Sequence, residues 1–191
     1  MKSLTRIAGG AAIAAALPFA AAAASATTID FNDLSSGTNY GTLNYENTTI
    51  SSSTGVITAI VSQGDARICA NDNPWGCIGE LTVSFDNAVE NLTFDIGGVN
   101  NPGLVAVAEV SLANGMTQFV DLFGTSINGN LQDLSSLGAI SNLILRHDDT
   151  LGVSYDNFSF NVADVPEPSA VLSMLLGLGL VGTAIHRRRR A

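Results

Sequence analysis

A chain of 191 residues, 46% of them hydrophobic and with a formal net charge of −9, has room for one domain of ordinary size. The charge is unevenly placed: six of the eight basic residues stand at the two ends, leaving only Arg67 and Arg146 against sixteen acidic residues between Thr27 and Val165, a net of −14. Such a surface repels phosphates and anionic headgroups, so nucleic acid is excluded as a partner, and it suits an extracellular module or one that gathers cations.

Taken in chain order, Lys2 and Arg6 precede an uncharged, Ala-rich run over residues 7–23, and Ala24-Ser25-Ala26 fits the small-x-small pattern read by signal peptidase. Residues 1–26 are therefore predicted to be a signal peptide removed before Thr27. An uncleaved anchor is the other reading, disfavoured because an Ala-dominated run is only weakly hydrophobic.

Beyond the leader no long segment keeps a helical period, and the apolar residues alternate instead. Val56 and Ile60, with Thr58 between them, form one set; Leu81, Val83 and Phe85 a second; Leu92, Phe94 and Ile96 a third. Residues 105–112, 118–123, 142–146 and 151–162 add strand candidates, and Asn114-Gly115 and Asn128-Gly129 favour tight hairpins. The one helix candidate spans residues 131–137. In the last strand Leu151, Val153 and Tyr155 are odd-numbered whereas Phe158, Phe160 and Val162 are even, so a β-bulge near Asp156-Asn157 puts both sets on one face. These features predict an all-β fold, an antiparallel, jelly-roll-like β-sandwich over residues 27–163.

Cys69 and Cys77 stand eight positions apart without the Cys-x2-Cys spacing or His neighbours of a metal knuckle, so in an exported protein a local disulfide is expected. Closing so short a loop stabilises by about 2.5 kcal/mol in the chain-entropy model. Trp75, the single tryptophan, falls inside that loop. Its indole is a candidate to stack on the apolar face of a sugar, the alternative being packing onto the sandwich.

Catalytic chemistry finds little footing. His147 is the one histidine between the ends, and no nucleophile elbow, phosphate loop or His-Glu-x-x-His motif accompanies it. A glycosidase needs only two carboxylates, for which Glu46, Glu80, Glu90 and Glu109 are candidates, yet none has an aromatic-rich setting. The stretch Tyr155-Asp156-Asn157-Phe158-Ser159-Phe160 resembles the closing strand of carbohydrate-binding modules, jelly rolls that commonly hold a structural calcium. That resemblance implies Asp156 as a calcium ligand with Asp30 and Asp33 from the first strand, the alternative being a solvated aspartate at a bulge.

At the far end Pro166-Glu167-Pro168 closes a linker over residues 164–168. Residues 169–185 carry no charge, and 186–191 hold His186 and the run Arg187, Arg188, Arg189 and Arg190. Seventeen helical residues span about 25 Å, enough for a membrane helix with snorkelling arginines, and the basic tail stays cytoplasmic. The three parts, in this order and spacing, resemble the sorting tag of PEP-CTERM proteins, the exosortase substrates of Gram-negative bacteria. The resemblance implies that a membrane-embedded cysteine transpeptidase recognises Pro166, Glu167 and Pro168, cuts near them, and passes the domain to the cell surface or an extracellular polymer. A plain single-span anchor has no need of the Pro-Glu-Pro sequence. The sequence is thus read as an exported, non-enzymatic surface or matrix protein that meets polysaccharide, against the alternative of a secreted carbohydrate-active hydrolase on the same route.

Overall fold

The computed structural model describes residues 25–62, 65–71, 76–125 and 129–163. The leader, Trp75, the Pro-Glu-Pro segment, the apolar run and the basic tail lie outside the described residues. The chain forms β1 (Ala26–Ile29), β2 (Asn39–Tyr40), β3 (Thr42–Tyr45), β4 (Thr48–Ser52), β5 (Ile57–Ser62) and β6 (Asp65–Ala70). There follow β7 (Leu81–Gly97), β8 (Gly103–Leu112), β9 (Thr117–Gly124), β10 (Asn130–Asp133), β11 (Ile140–His147) and β12 (Ser154–Val162). All strand pairs are antiparallel. Among the described residues there is no α-helix, and the expected antiparallel β-sandwich is observed.

Strand β7 organises both layers. Its residues 81–85 pair with β4 on one side and residues 81–84, with Val89, pair with β11 on the other, while residues 93–96 pair with β10 and residues 89–97 pair, across two register shifts, with β12. One sheet therefore runs β3-β4-β7-β11-β8-β9, and the other runs β2-β5-β6-β12-β7-β10, with β1 beside the second half of β12. The two apolar sets over residues 81–85 and 92–96 are halves of this single strand. Between them Asn91 takes φ 55°, and burial passes from odd positions (Leu81, Val83, Phe85, Val89) to even ones (Leu92, Phe94, Ile96). An irregular strand of this kind changes the face that each half presents, which lets one strand serve two sheets.

Side chains from both layers meet in the core. The rings of Phe85 and Phe160 lie edge-on at 5.2 Å between centroids, Phe31 meets Phe158 at 5.9 Å, and Phe94 stacks on Phe158 at 5.2 Å. All but Phe85 are essentially inaccessible to solvent. Edge and offset ring contacts of this kind add about 0.5–1.5 kcal/mol each beyond the area they bury.

The bulge expected at Asp156-Asn157 is present: the β12 register on β7 shifts between Asp156 and Ser159, and Asn157 takes φ 52°. It brings Tyr155, Phe158 and Phe160 into the core, whereas Leu151 stays outside at 55% exposure. The hairpin at Asn114-Gly115 joins β8 to β9, with the Leu112 N–H donating to the Met116 carbonyl at 2.8 Å.

Three other expectations are corrected. In β5 the buried residues are Ile57 and Ala59, and Ile60 is 39% exposed; the run is apolar at nearly every position, and a one-residue change of phase turns every side chain over. Residues 131–137 form β10 and then one 3-10 turn, Ser135–Leu137, because pairing of residues 130–133 along β7 prevails over a helical preference that Leu134 does nothing to cap. Gly129 turns with φ 106°, but the chain then runs onto β7 rather than back along β9.

Candidate functional site

The β6–β12 junction is a weak lateral join in the second sheet, made in register by the single pair Tyr155 and Ile68. The next residues outward are Arg67 and Asp156, and Asp156 in turn stands opposite Asp95 on β7. Arg67 does not remain on its own strand. A Cβ at Gly97 would stand 1.8 Å from its Nη1, so the side chain crosses β12 and lies over β7. The guanidinium also pairs with Asp65 at 3.2 Å.

Beneath this cover Asp156 is fully buried, with one carboxylate oxygen accepting the Asn157 N–H at 2.7 Å. Burial pushes its pKa up to about 7, aided by the charge and hydrogen-bonding contact of Asp65, against the Asn157 N–H and the Arg67 guanidinium, which favour the ionised form. The Asn157 side-chain amide donates to Asp95 at 3.0 Å. The neighbours of Asp156 are thus Asp65, Arg67, Asp95 and Asn157. Asp30 accepts the Asn32 N–H and Asp33 accepts the Tyr45 hydroxyl at 3.1 Å. Among the described residues no group of three or more His, Cys, Asp or Glu is arranged to hold a metal ion, so Asp30, Asp33 and Asp156 do not converge as a ligand set.

The Cys69–Cys77 sulfurs lie at bonding distance, 2.09 Å, with Cα atoms 5.3 Å apart. Cys77 then bridges to Gly152 just ahead of β12, its N–H donating to the Leu151 carbonyl at 3.0 Å. The disulfide thereby straps β6 across the weak junction. Gly152 has φ 74°, and a Cβ there would stand 1.8 Å from the Cys77 carbonyl oxygen, so the approach requires glycine.

This strap borders a cleft of about 350 Å³. One side is formed by Thr58, Ile60, Cys69 and Asn71, the other by Gly98, Asn100, Leu151, Gly152, Val153 and Ser154, with Gly76 and Cys77 between. Among the described residues that line it, none is charged. Its rim is set by Asp149, whose carboxylate accepts the N–H groups of Asn100, Asn101 and Leu151, each at 3.1 Å. Burial raises the pKa of Asp149, but those three N–H groups outweigh it and hold the carboxyl below its ordinary range.

On the opposite sheet, Arg146 is gripped by Glu80 at 2.9 Å and by Glu109. Of the glycosidase candidates these two converge, with a guanidinium between them. His147 has its ring nitrogens 3.0 and 2.6 Å from the carbonyl oxygens of Asp149 and Ile78. Sequence reading passed over Asp65, Arg67, Asp149 and Ser154. The available signal for Arg67 was its place as one of two basic residues in a strongly acidic domain, in a strand that begins with Asp65.

Residues 164–190 match the family model described as the PEP-CTERM protein-sorting motif. The chain is therefore an antiparallel β-sandwich carrying a PEP-CTERM sorting motif immediately after its last strand. No curated protein matches the chain in sequence. Among solved structures it is similar to a variant of a family 29 carbohydrate-binding module, studied for the mechanism of ligand recognition. The TM-score is 0.40 at 14% identity, covering 76% of this chain and 99% of that one. That degree of similarity is too low to carry a ligand or a site from that module to this chain. Among the described residues no helix is long and apolar enough to cross a membrane.

Proposed function

We propose that this protein is an exported, non-enzymatic component of the cell surface or extracellular matrix of a Gram-negative bacterium, sorted by an exosortase-type transpeptidase and binding polysaccharide. The observation that carries the reading is the sorting motif beginning at residue 164, two positions after β12 ends at Val162. In this reading signal peptidase removes residues 1–26, and the span over residues 169–185, held by Arg187 to Arg190, anchors the precursor in the membrane until Pro166, Glu167 and Pro168 are recognised. The sandwich is the cargo. Trp75, adjacent in sequence to the cleft residue Gly76, is proposed as a sugar-stacking group.

A hydrolase on the same route needs two open carboxylates. Glu80 and Glu109 hold Arg146 between them, and Asp156 is sealed beneath Arg67, which favours binding over turnover. Intact-mass measurement of protein recovered from the envelope or medium tests the sorting. The expected product begins at Thr27 and ends within Pro166 to Pro168. A mature species that still carries Arg187 to Arg190 overturns processing at this motif.

A further inference from the structure

We infer that the β6–β12 junction is a proton-operated latch: a proton carried by Asp156 holds β6 against β12, and its loss lets the Asp65 end of β6 part from β12 while the rest of the sandwich stays folded. The backbone leaves room for such a device. Strand β6 meets β12 in register at Ile68 and Tyr155, and two residues further along β12 the bulge at Asn157, with φ 52°, breaks the ladder. There the Ala66 N–H donates instead to the Asn32 side chain at 3.2 Å, a group from the loop after β1. The far end of β6 is fixed, because Cys69 is bonded to Cys77, whose N–H donates to the Leu151 carbonyl ahead of β12. The strand is therefore tied at one end and held at the other by side chains.

Those side chains carry the charge. From β6, Asp65 and Arg67 face Asp156; from β7, Asp95 stands opposite it and accepts the Asn157 amide at 3.0 Å. In the loop after β1, Asp30 and Asp33 are engaged by the Asn32 N–H and the Tyr45 hydroxyl. One Asp156 oxygen accepts the Asn157 N–H, and the other, Oδ2, is buried with no hydrogen-bond partner among the described residues. A proton on Oδ2 leaves the buried carboxyl neutral and gives it an O–H to present to Asp65, whose side chain is 44% exposed. When that proton passes to water, two carboxylates meet across the junction, one of them sealed from solvent. Arg67, already paired with Asp65 at 3.2 Å, offsets this only in part. Parting β6 from β12 hydrates the carboxylate. By linkage, opening therefore becomes about tenfold easier for each pH unit between about 3.8 and about 7, and levels off above that. Such opening is sub-global, since β4, β11 and the first half of β7 pair with one another and not with β6.

The test is amide hydrogen exchange, read by mass spectrometry on the purified full chain in detergent across the range from acid to mildly alkaline pH, with rates corrected for intrinsic exchange. Protection of the β6 peptide is expected to fall by about tenfold or more on passing to neutrality and then hold level, while peptides from β4 and β11 keep theirs. Asp156→Asn, which keeps the shape without the titration, should leave β6 protection constant with pH. Asp65→Asn, at a partly exposed position, should make the fall level off at a lower pH, because the facing charge that helps keep the proton on Asp156 is gone. Four results overturn the latch: β6 protection independent of pH in the parent chain, an equal fall in β4 and β11, a pH dependence that survives Asp156→Asn, or a levelling-off that Asp65→Asn leaves in place.

Discussion

Arg67 and Gly97 are complementary across an intervening strand: the guanidinium of the first occupies the space in which a Cβ on the second would lie, 1.8 Å from Nη1. The absent side chain at 97 is what allows one arginine to cover Asp156. Gly97→Ala must push the guanidinium aside and admit water to a buried carboxyl. We expect a loss of about 2 kcal/mol, typical of overpacking a filled site, read as a lower urea midpoint at unchanged slope.

Stability should fall as pH rises across neutrality. In the fold Asp156 keeps its proton up to about pH 7, whereas the unfolded carboxyl gives it up near 3.8. The folded state therefore binds the extra proton between those values. Its contribution is complete below about 3.8 and is lost as pH climbs through 7. A melting temperature several degrees higher at pH 5 than at pH 8.5 is expected, and Asp156→Asn, which keeps the shape and removes the titration, should flatten the difference. Asp149 acts with the opposite sign and in a separate window, because its lowered pKa costs stability only when the pH drops below the ordinary carboxylate range.

Opening the Cys69–Cys77 bridge should cost about 2.5 kcal/mol by the chain-entropy estimate. Denaturant midpoints with and without reductant measure it directly. Two thiols that alkylate freely in denatured, unreduced protein taken from the periplasm would contradict the bridge.

Tyr155 buries a phenol hydroxyl that has no hydrogen-bond partner among the described residues, and burial drives its pKa upward. Tyr155→Phe removes the unsatisfied group while keeping the ring against Phe94 at 6.2 Å. A gain of about 1 kcal/mol in unfolding free energy is expected, and a loss of that size would show that the hydroxyl is hydrated.

Much of the sandwich was legible because its signals are local. Alternation marked the strands, the parity change between Tyr155 and Phe158 marked the bulge, and the eight-residue spacing of Cys69 and Cys77 marked the disulfide. Phase failed in β5, where apolar residues on both faces leave alternation without a reference. The continuity of β7 was hidden because its two halves carry opposite parity, which reads as two strands. Least legible was the surrounding of Asp156. Arg67 and Asp65 reach it only because β6 lies beside β12, across nearly ninety residues of sequence (from Arg67 to Asp156), and no local pattern records that neighbour.

The pairing of Ala26 with Asn161 places the start of β1 and the end of β12 side by side, so the chain enters and leaves the sandwich at one pole. The other end of β12 begins at Ser154 in the wall of the cleft, nine residues and roughly 26 Å away at about 3.3 Å per step. In the proposed reading, in which the segment after Val162 is the point of attachment, the cleft and the chain's exit from the sandwich stand at opposite ends of one strand.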